Sequence, residues 1–282
     1  MKKVLLLMLS LIMVLSLVSC GKAEQTQSPQ GVGSDENAQI EKKQEDSVDT
    51  SWDDIVNKGK FVMGLDDEFA PMGFRDEQGN LVGFDIDLAK AVAEVLGVEV
   101  EFKPIAWSAK EMELSSKKID CIWNGFTITE ERKKQVLFTE PYLSSDQVIV
   151  VKKGSSIAKK EDLIGKNVGL QKDSSSFNAL SKQEEIMNGL ASLKEYETNV
   201  EVLLDLGAGR IDAAVMDEVF ARYYITDNNL DYVVLDESLD SEDYGIGFRL
   251  GDEAFKNKVE EALDTLRKNG KMDEIMKKWF GV

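Results

Sequence analysis

From Lys60 to the C-terminus, short apolar runs of about five residues alternate with amphipathic stretches of helical period. Runs of that length fit buried strands, and the stretches between them fit helices laid over a sheet. Alternation of this kind implies parallel sheets covered by helices, an α/β fold. Residues 61–65, 98–104, 119–123, 167–171, 213–217, 232–236 and 244–249 read as strands, with a weaker one at 193–196. A turn at Asp76-Glu77-Gln78-Gly79-Asn80 joins 72–74 to 81–84 as a hairpin. Asp85 caps a helix whose apolar stripe is Ile86, Ala89, Val92, Ala93 and Leu96, and Gly97 stops it. Further helices are expected at 110–117, from Thr129, at 176–189, from an Asn199 cap to Gly209, and at 218–226, 252–269 and 271–280. Lys118-Ile119-Asp120 and Arg210-Ile211-Asp212 each open a short apolar strand, which suggests two similar units.

The N-terminus has a different character. Lys2 and Lys3 precede an apolar run over 4–18 that only Ser10 and Ser16 interrupt. Two positive charges before such a run mark a secretory signal peptide. The run is too short for a comfortable membrane span, which needs about 20 residues. It ends in Leu17-Val18-Ser19-Cys20-Gly21, which resembles a bacterial lipobox, where the chain is cut before a lipidated Cys. Residues 1–19 are therefore expected to be a lipoprotein signal peptide, and acyl chains on Cys20 would hold the protein on the membrane surface. Residues 21–50 contain no aromatic side chain and no Leu, so 20–51 is expected to be the lipidated Cys and a disordered tether.

Composition removes several chemistries. There is no His, which excludes Ser-His-Asp and Cys-His catalysis and His-ligated zinc. The two cysteines, Cys20 and Cys121, make neither a disulfide framework nor a four-thiolate metal site. Asp and Glu number 52 against 34 Lys and Arg, a net charge of −18 that repels nucleic acid. No stretch has the calcium-loop pattern, so neither metal nor cofactor is expected. Acidic runs such as 236–243 read as solvated surface, and Cys121, in an apolar strand, as a buried bystander.

A few residues stand out on physical grounds. Thr129 is a good N-cap, which places Arg132 in a first helical turn, where a cation opposes the helix dipole. A bound carboxylate would relieve that conflict, because guanidinium takes it bidentately; neighbouring Glu130 and Glu131 are the competing remedy. Asp217 ends a strand just before a helix, where it suits either a ligand ammonium or a helix cap. Phe69 and Trp107 follow strands and either plug a core edge or line a pocket. Asp66, three residues before Phe69, suits a turn. Asn124, Gly125 and Thr127 form a loop that can offer carbonyls and a hydroxyl. Amides around Gln171, Ser174 and Ser175 open a helix and suit a carboxylate, or the segment is a Ser-rich cap. Of the four Trp, Trp107 is expected to feel a ligand, and Trp279, in the last helix, is not.

Several segments carry a family resemblance when taken in order: 64–74, 83–88, 118–120, 125–132, 138–142, 162–166, 209–213 and 278–281. They include Gly83-Phe84-Asp85-Ile86-Asp87-Leu88, Phe138-Thr139-Glu140-Pro141-Tyr142 and Lys278-Trp279-Phe280-Gly281. Together they resemble the amino-acid-binding proteins of ABC importers, solute-binding family 3, in lipoprotein form. The resemblance implies a two-lobed periplasmic-binding-protein-like fold (type II) that closes on a ligand about a hinge. It implies one lobe from 52–143 plus 244–282, another from 146–240, and hinges near 142–146 and 241–244. Arg132 then clamps an α-carboxylate and Asp217 an α-ammonium, while Asp66, Phe69 and Trp107 meet the side chain. Asn124 stands where the family often has a small residue, and Ser174 and Ser175 stand in place of a Gly-Thr-rich loop. The implied function is extracytoplasmic, lipid-anchored capture of a polar amino acid by a monomer, without catalysis. Glutamine or a basic amino acid is favoured, and cystine is compatible. Its partners would be permease subunits on separate chains. An enzyme of the cyclohexadienyl dehydratase type, which resembles this family and uses carboxylates, is the alternative.

Overall fold

Residues 48–281 are described by a computed structural model; the expected signal peptide, Cys20 and the tether as far as residue 47 lie outside the described residues. The strands are β1 (Lys60–Leu65), β2 (Glu68–Phe69), β3 (Gly73–Arg75), β4 (Leu81–Val82), β5 (Glu99–Pro104) and β6 (Cys121–Thr127). They continue with β7 (Val136–Phe138), β8 (Leu143–Lys152), β9 (Asn167–Gln171), β10 (Ser192–Tyr196), β11 (Ala213–Asp217) and β12 (Tyr232–Arg249). The helices are α1 (Ser51–Lys58), α2 (Phe84–Leu96), α3 (Lys110–Ser115), α4 (Ser175–Ser181) and α5 (Glu184–Gly189). After them come α6 (Asn199–Gly207), α7 (Glu218–Asp227), α8 (Glu253–Lys268) and α9 (Lys271–Phe280). Already at Asp49 the chain is docked, because its carboxylate accepts the Ser51 and Ala254 amides.

The architecture is α/β and two-lobed, built on one sheet in the order β10-β9-β11-β8-β12-β6-β1-β5, with β7 beside β12. Strands β2, β3 and β4 form a small separate sheet. Parallel pairing holds within each half: β1 with β5 and β6, and β9 with β10 and β11. The centre departs from the all-parallel expectation. There β8 runs antiparallel to β11 and β12, and β12 antiparallel to β6. As a result the two halves run toward each other, and the carboxyl ends of β1 and β6 face those of β9 and β11.

The two halves share one local device. Ile119 and Ile211 are both buried, and each is followed by an Asp that accepts an amide at or near the start of β1 or β9. Asp120 Oδ2 takes Val62 N at 2.9 Å, and Asp212 Oδ2 takes Asn167 N at 2.8 Å. Each Ile packs on a strand glycine: a Cβ on Gly64 would meet Ile119 Cδ1 at 2.5 Å, and one on Gly169 would meet Ile211 Cδ1 at 2.6 Å. The three-residue internal match is a repeated structural unit.

Helices cover the sheet and bury Phe61, Met63, Phe84, Ile86, Phe248 and Phe255 in one large cluster. A smaller cluster under the other half contains Ile149, Val168, Leu170 and Val215. Removing each such side chain from water contributes about 1.5–3 kcal/mol.

Several local expectations are corrected. The segments 232–236 and 244–249 belong to one strand, because the acidic run between them keeps pairing with β8 through two register shifts. Helix α6 is capped by Thr198, whose hydroxyl accepts Glu201 N, so Asn199 is its first residue. The stretch 176–189 breaks at Gln183, whose ψ of 68° is not helical. Thr129 starts no long helix: its hydroxyl accepts Arg132 N at 3.1 Å and the chain makes one 3₁₀ turn, Arg132–Lys134. So short a turn carries little macrodipole, and the expected dipole conflict at Arg132 falls away. Asn124, Gly125 and Thr127 are not in a loop; they lie on β6, where every residue is buried. Nor does Asp85 cap α2. Gly83 takes that place, and the Asp85 carboxylate is buried beneath β6.

Candidate ligand site between the sheet halves

Four strands deliver polar side chains to the same place. Asp66 follows β1, Thr127 ends β6, Gln171 ends β9 and Asp217 ends β11. Carboxyl ends of strands are the usual ligand positions in α/β folds. Around them the chain brings together all eleven residues singled out in the sequence: Asp66, Phe69, Trp107, Asn124, Gly125, Thr127, Arg132, Gln171, Ser174, Ser175 and Asp217. They line one narrow cleft with about 10 Å³ of free space. That is room for about one water, so anything larger enters only when the walls part.

At one end, Asp66 Oδ1 accepts Glu68 N at 2.9 Å, and Oδ2 accepts Gln171 Nε2 at 2.8 Å from the facing half. Gln171 is oriented by Asn199 Nδ2, which donates to its Oε1 at 3.1 Å, and its Nε2 also reaches Glu197 O at 2.9 Å. Burial pushes the Asp66 carboxyl up to about 6, and the two donors oppose that rise. Asn124 Oδ1 accepts Asp66 N at 3.1 Å, while its buried Nδ2 finds no partner among the described residues.

At the other end, Arg132 is 8% exposed. Its Nη1 donates to Thr127 O at 2.9 Å and its Nη2 to Asp173 O at 3.2 Å, and the guanidinium lies 4.7 Å from the Phe126 ring centre. Burial lowers its pKa, and the charges of Glu111, Glu242, Asp217 and Asp173 oppose the shift. Asp217 occupies the N-cap position of α7 but makes no side-chain cap bond. Instead its Oδ1 accepts Tyr244 Oη at 2.6 Å. Burial raises the Asp217 pKa, against the bond from Tyr244 and the charge of Arg132.

The aromatic walls are fixed by stacking. Phe69 lies flat on Phe220 of α7, centroids 5.5 Å apart at 10°. Trp107 sits in a 3₁₀ turn and meets Phe126 edge-on at 5.7 Å, with Lys110 Nζ 5.1 Å from its ring centre. Beneath them, Gly125 has φ +56°, and a Cβ there would come within 2.9 Å of Phe69 Cε1. Its N–H is held by Asp85 Oδ2 at 2.9 Å. Tyr142 and Trp123 also donate to that carboxylate, and burial still raises it to about 7.

Sequence reasoning missed Glu242, Tyr244, Lys110 and Asp85 as parts of this site. For Glu242 a signal existed: Glu242, Tyr244, Ile246 and Phe248 alternate with period two and all four are buried. The acidity of the segment hid it. Trp279 packs edge-on against Phe74 at 5.9 Å, and the Phe74 ring centre lies 5.6 Å from that of Tyr223 on α7, a chain of contacts from the last helix to the facing half. Among the described residues no cluster of Cys, Asp and Glu has the placement to hold a metal ion, and no helix is long and apolar enough to cross a membrane. Burial raises the Cys121 thiol well above its ordinary value.

Comparison with known proteins identifies the family. Residues 61–282 match the family of bacterial extracellular solute-binding proteins, family 3. The L-cystine-binding protein TcyJ of Escherichia coli (strain K12) is 31% identical over 229 residues, covering 80% of this chain and 85% of that protein. The ABC transporter glutamine-binding protein GlnH of Bacillus subtilis (strain 168) is 32% identical over 288 residues, covering 99% and 98%. Among solved structures, a substrate-binding protein of an ABC uptake transporter from Streptococcus pneumoniae, with bound histidine, superposes with a TM-score of 0.80. It is 39% identical, and the match covers 83% of this chain and 97% of that one.

Proposed function

Because the chain belongs to the bacterial extracellular solute-binding proteins, family 3, we propose that it captures a free polar amino acid outside the cytoplasm and delivers it to ABC permease subunits on separate chains. Arg132 binds the α-carboxylate and Asp217 the α-ammonium. Asp66, Phe69 and Trp107 select the side chain, and Asn124, Gly125, Thr127, Gln171, Ser174 and Ser175 complete the walls. A ligand carrying both charges joins the two halves, so binding and closure are one event. Residues 52–143 plus 244–282 move as one lobe and 146–240 as the other, bending near 142–146 and 241–244. The two long strands that run through both halves, β8 and β12, pass through those segments. Cys20 carries the lipid, the protein acts as a monomer on the extracytoplasmic face, and it makes or breaks no bond.

The observation that carries this reading is the convergence of Arg132, Asp217 and Asp66 in one closed cleft at the strand ends. Asp66 is a buried carboxylate whose hydrogen-bond donors are the Glu68 amide and the Gln171 side-chain amide, both neutral. A cationic side chain placed against it would supply the opposite charge that a buried carboxylate needs. Basic amino acids are therefore favoured, with glutamine next and cystine after it. A thermal-shift screen across the twenty amino acids, cystine and ornithine tests this. Saturable stabilisation led by a basic amino acid is expected, and no stabilisation by any of them would overturn the reading. Product formed from arogenate or prephenate would turn it into an enzyme. Loss of membrane partition in Cys20→Ala is the expected outcome for the anchor.

A further inference from the structure

Glu242 lies in an acidic run, yet it is 7% exposed, while its neighbours Ser241 and Asp243 face solvent. One of its oxygens, Oε2, receives three donors from three elements. Thr127 Oγ1 of β6 donates at 2.9 Å, Ser175 Oγ of α4 at 2.8 Å and Gln147 Nε2 of β8 at 3.1 Å. The amide of Gln147 is fixed in that sense, because Ser176 Oγ donates to its Oε1 at 2.6 Å. Thr127 and Ser175 belong to opposite halves and both line the cleft. Their hydroxyls lie 3.0 Å apart, where either can donate to the other. Gln147 Nε2 also donates to Ser175 Oγ at 3.2 Å, which leaves that oxygen one lone pair for the cleft.

A hydroxyl has one proton and two lone pairs. When both hydroxyls give their protons to Glu242, neither can donate into the cleft, and both present lone pairs there. Such a pair of acceptors suits an ammonium and repels a carboxylate. We propose that Glu242 is a positioning residue of the amino-acid site: it directs the Thr127 and Ser175 hydroxyl protons away from the cleft, so that both oxygens accept from the ligand's α-ammonium. The proposal rests on the amino-acid reading above and assigns a residue to it that touches no ligand itself.

Ionisation of Glu242 then controls the site. A protonated Glu242 is a weaker acceptor at Oε2, so the two hydroxyl protons are no longer held there and are free to turn into the cleft against the ammonium. Burial raises this carboxyl to about 7, with the nearby Asp217 charge adding to the rise and the bonds from Ser175, Thr127 and Gln147 opposing it. The groups facing it are Asp217 from β11, Arg132 from its 3₁₀ turn, Tyr244 two residues along its own strand, and the neutral Thr127, Ser175 and Gln147. Glu242 also lines an open groove shared with Lys182 and Asp240. Ligand binding favours the ionised form and releases a proton near neutral pH.

The test is calorimetry with L-arginine and L-glutamine between about pH 6 and pH 8, on wild type, Glu242→Gln, Thr127→Val/Ser175→Ala and the combination of all three. Wild-type affinity is expected to fall about tenfold from pH 8 to pH 6, as one group near 7 protonates. Glu242→Gln keeps an acceptor oxygen but cannot titrate, so its profile is expected to be flatter by that amount. In the background lacking both hydroxyls, Glu242→Gln is expected to change nothing. A Glu242→Gln profile that overlays wild type overturns the proposal. So does a Glu242→Gln effect that persists without the hydroxyls, since Glu242 would then act through the charge of Asp217. If wild type binds neither amino acid at any pH, the functional reading fails first and the proposal falls with it.

Discussion

The phenol of Tyr244 donates to Asp217 Oδ1 at 2.6 Å, joining β12 to the carboxylate at the end of β11. Both groups are buried. Removing the hydroxyl leaves the carboxylate short of a donor, and a hydrogen bond to a charged group contributes about 1.5–3 kcal/mol. Tyr244→Phe is expected to lower ligand-free stability by an amount in that range in urea titration. A saturating amino acid ligand is expected to recover part of the loss, because its ammonium supplies the missing donor. A variant as stable as wild type would mean that this bond contributes nothing to the folded state.

Arg132 offers a second prediction. Its side chain holds Thr127 O in its own half and Asp173 O across the cleft. Arg132→Ala would leave a bound carboxylate without its partner, a loss on the order of 2–5 kcal/mol. Affinity measured by calorimetry is expected to fall at least tenfold while circular dichroism stays native. Near-normal binding would show that the carboxylate is held elsewhere.

Asp66 carries a pH prediction whose sign differs from that of most acidic residues. Its carboxyl rises from 3.8 to about 6 in the folded chain. The native state therefore binds more protons than the unfolded chain in that window. This group's contribution is complete below about 3.8 and is lost as pH rises through about 6. Above that pH the ionised, buried carboxylate costs on the order of 2–3 kcal/mol. Asp66→Asn is expected to be more stable than wild type at pH 7.5 without ligand, and to bind basic amino acids more weakly. A less stable Asp66→Asn protein at that pH would refute the burial argument.

Tryptophan emission reports the closure. Trp107 lines the cleft, so a binding amino acid is expected to change intrinsic fluorescence saturably, and Trp107→Phe to remove most of the change. Trp279 touches Phe74, which touches Tyr223 of the facing half, so Trp279→Phe is expected to remove a smaller part. A signal that survives Trp107→Phe intact would place the ligand away from this wall.

Much of this protein is local and therefore readable in the chain. The period-two and period-3.6 patterns located the strands and helices, because burial on a face is a property of a few consecutive side chains. The repeated Ile-Asp pairs at 119–120 and 211–212 marked two equivalent halves, and each plays the same part in its half. The eleven cleft residues were nameable in advance because family resemblance carries their order along the chain. Other features exist only once distant segments meet. Asp85 looks like a helix cap by its position, but it lies under Gly125 and Tyr142, 40 and 57 residues away. Glu242 looks like solvated surface until β6, α4 and β8 close three donors onto one oxygen. The same folding makes 232–249 a single strand, since β8 supplies backbone partners that ignore the polarity of the side chains. A carboxylate's environment is set by what packs against it from outside its own segment. Its burial, partners and pKa are therefore decided by tertiary structure, whereas the alternation that builds the sheet is written residue by residue.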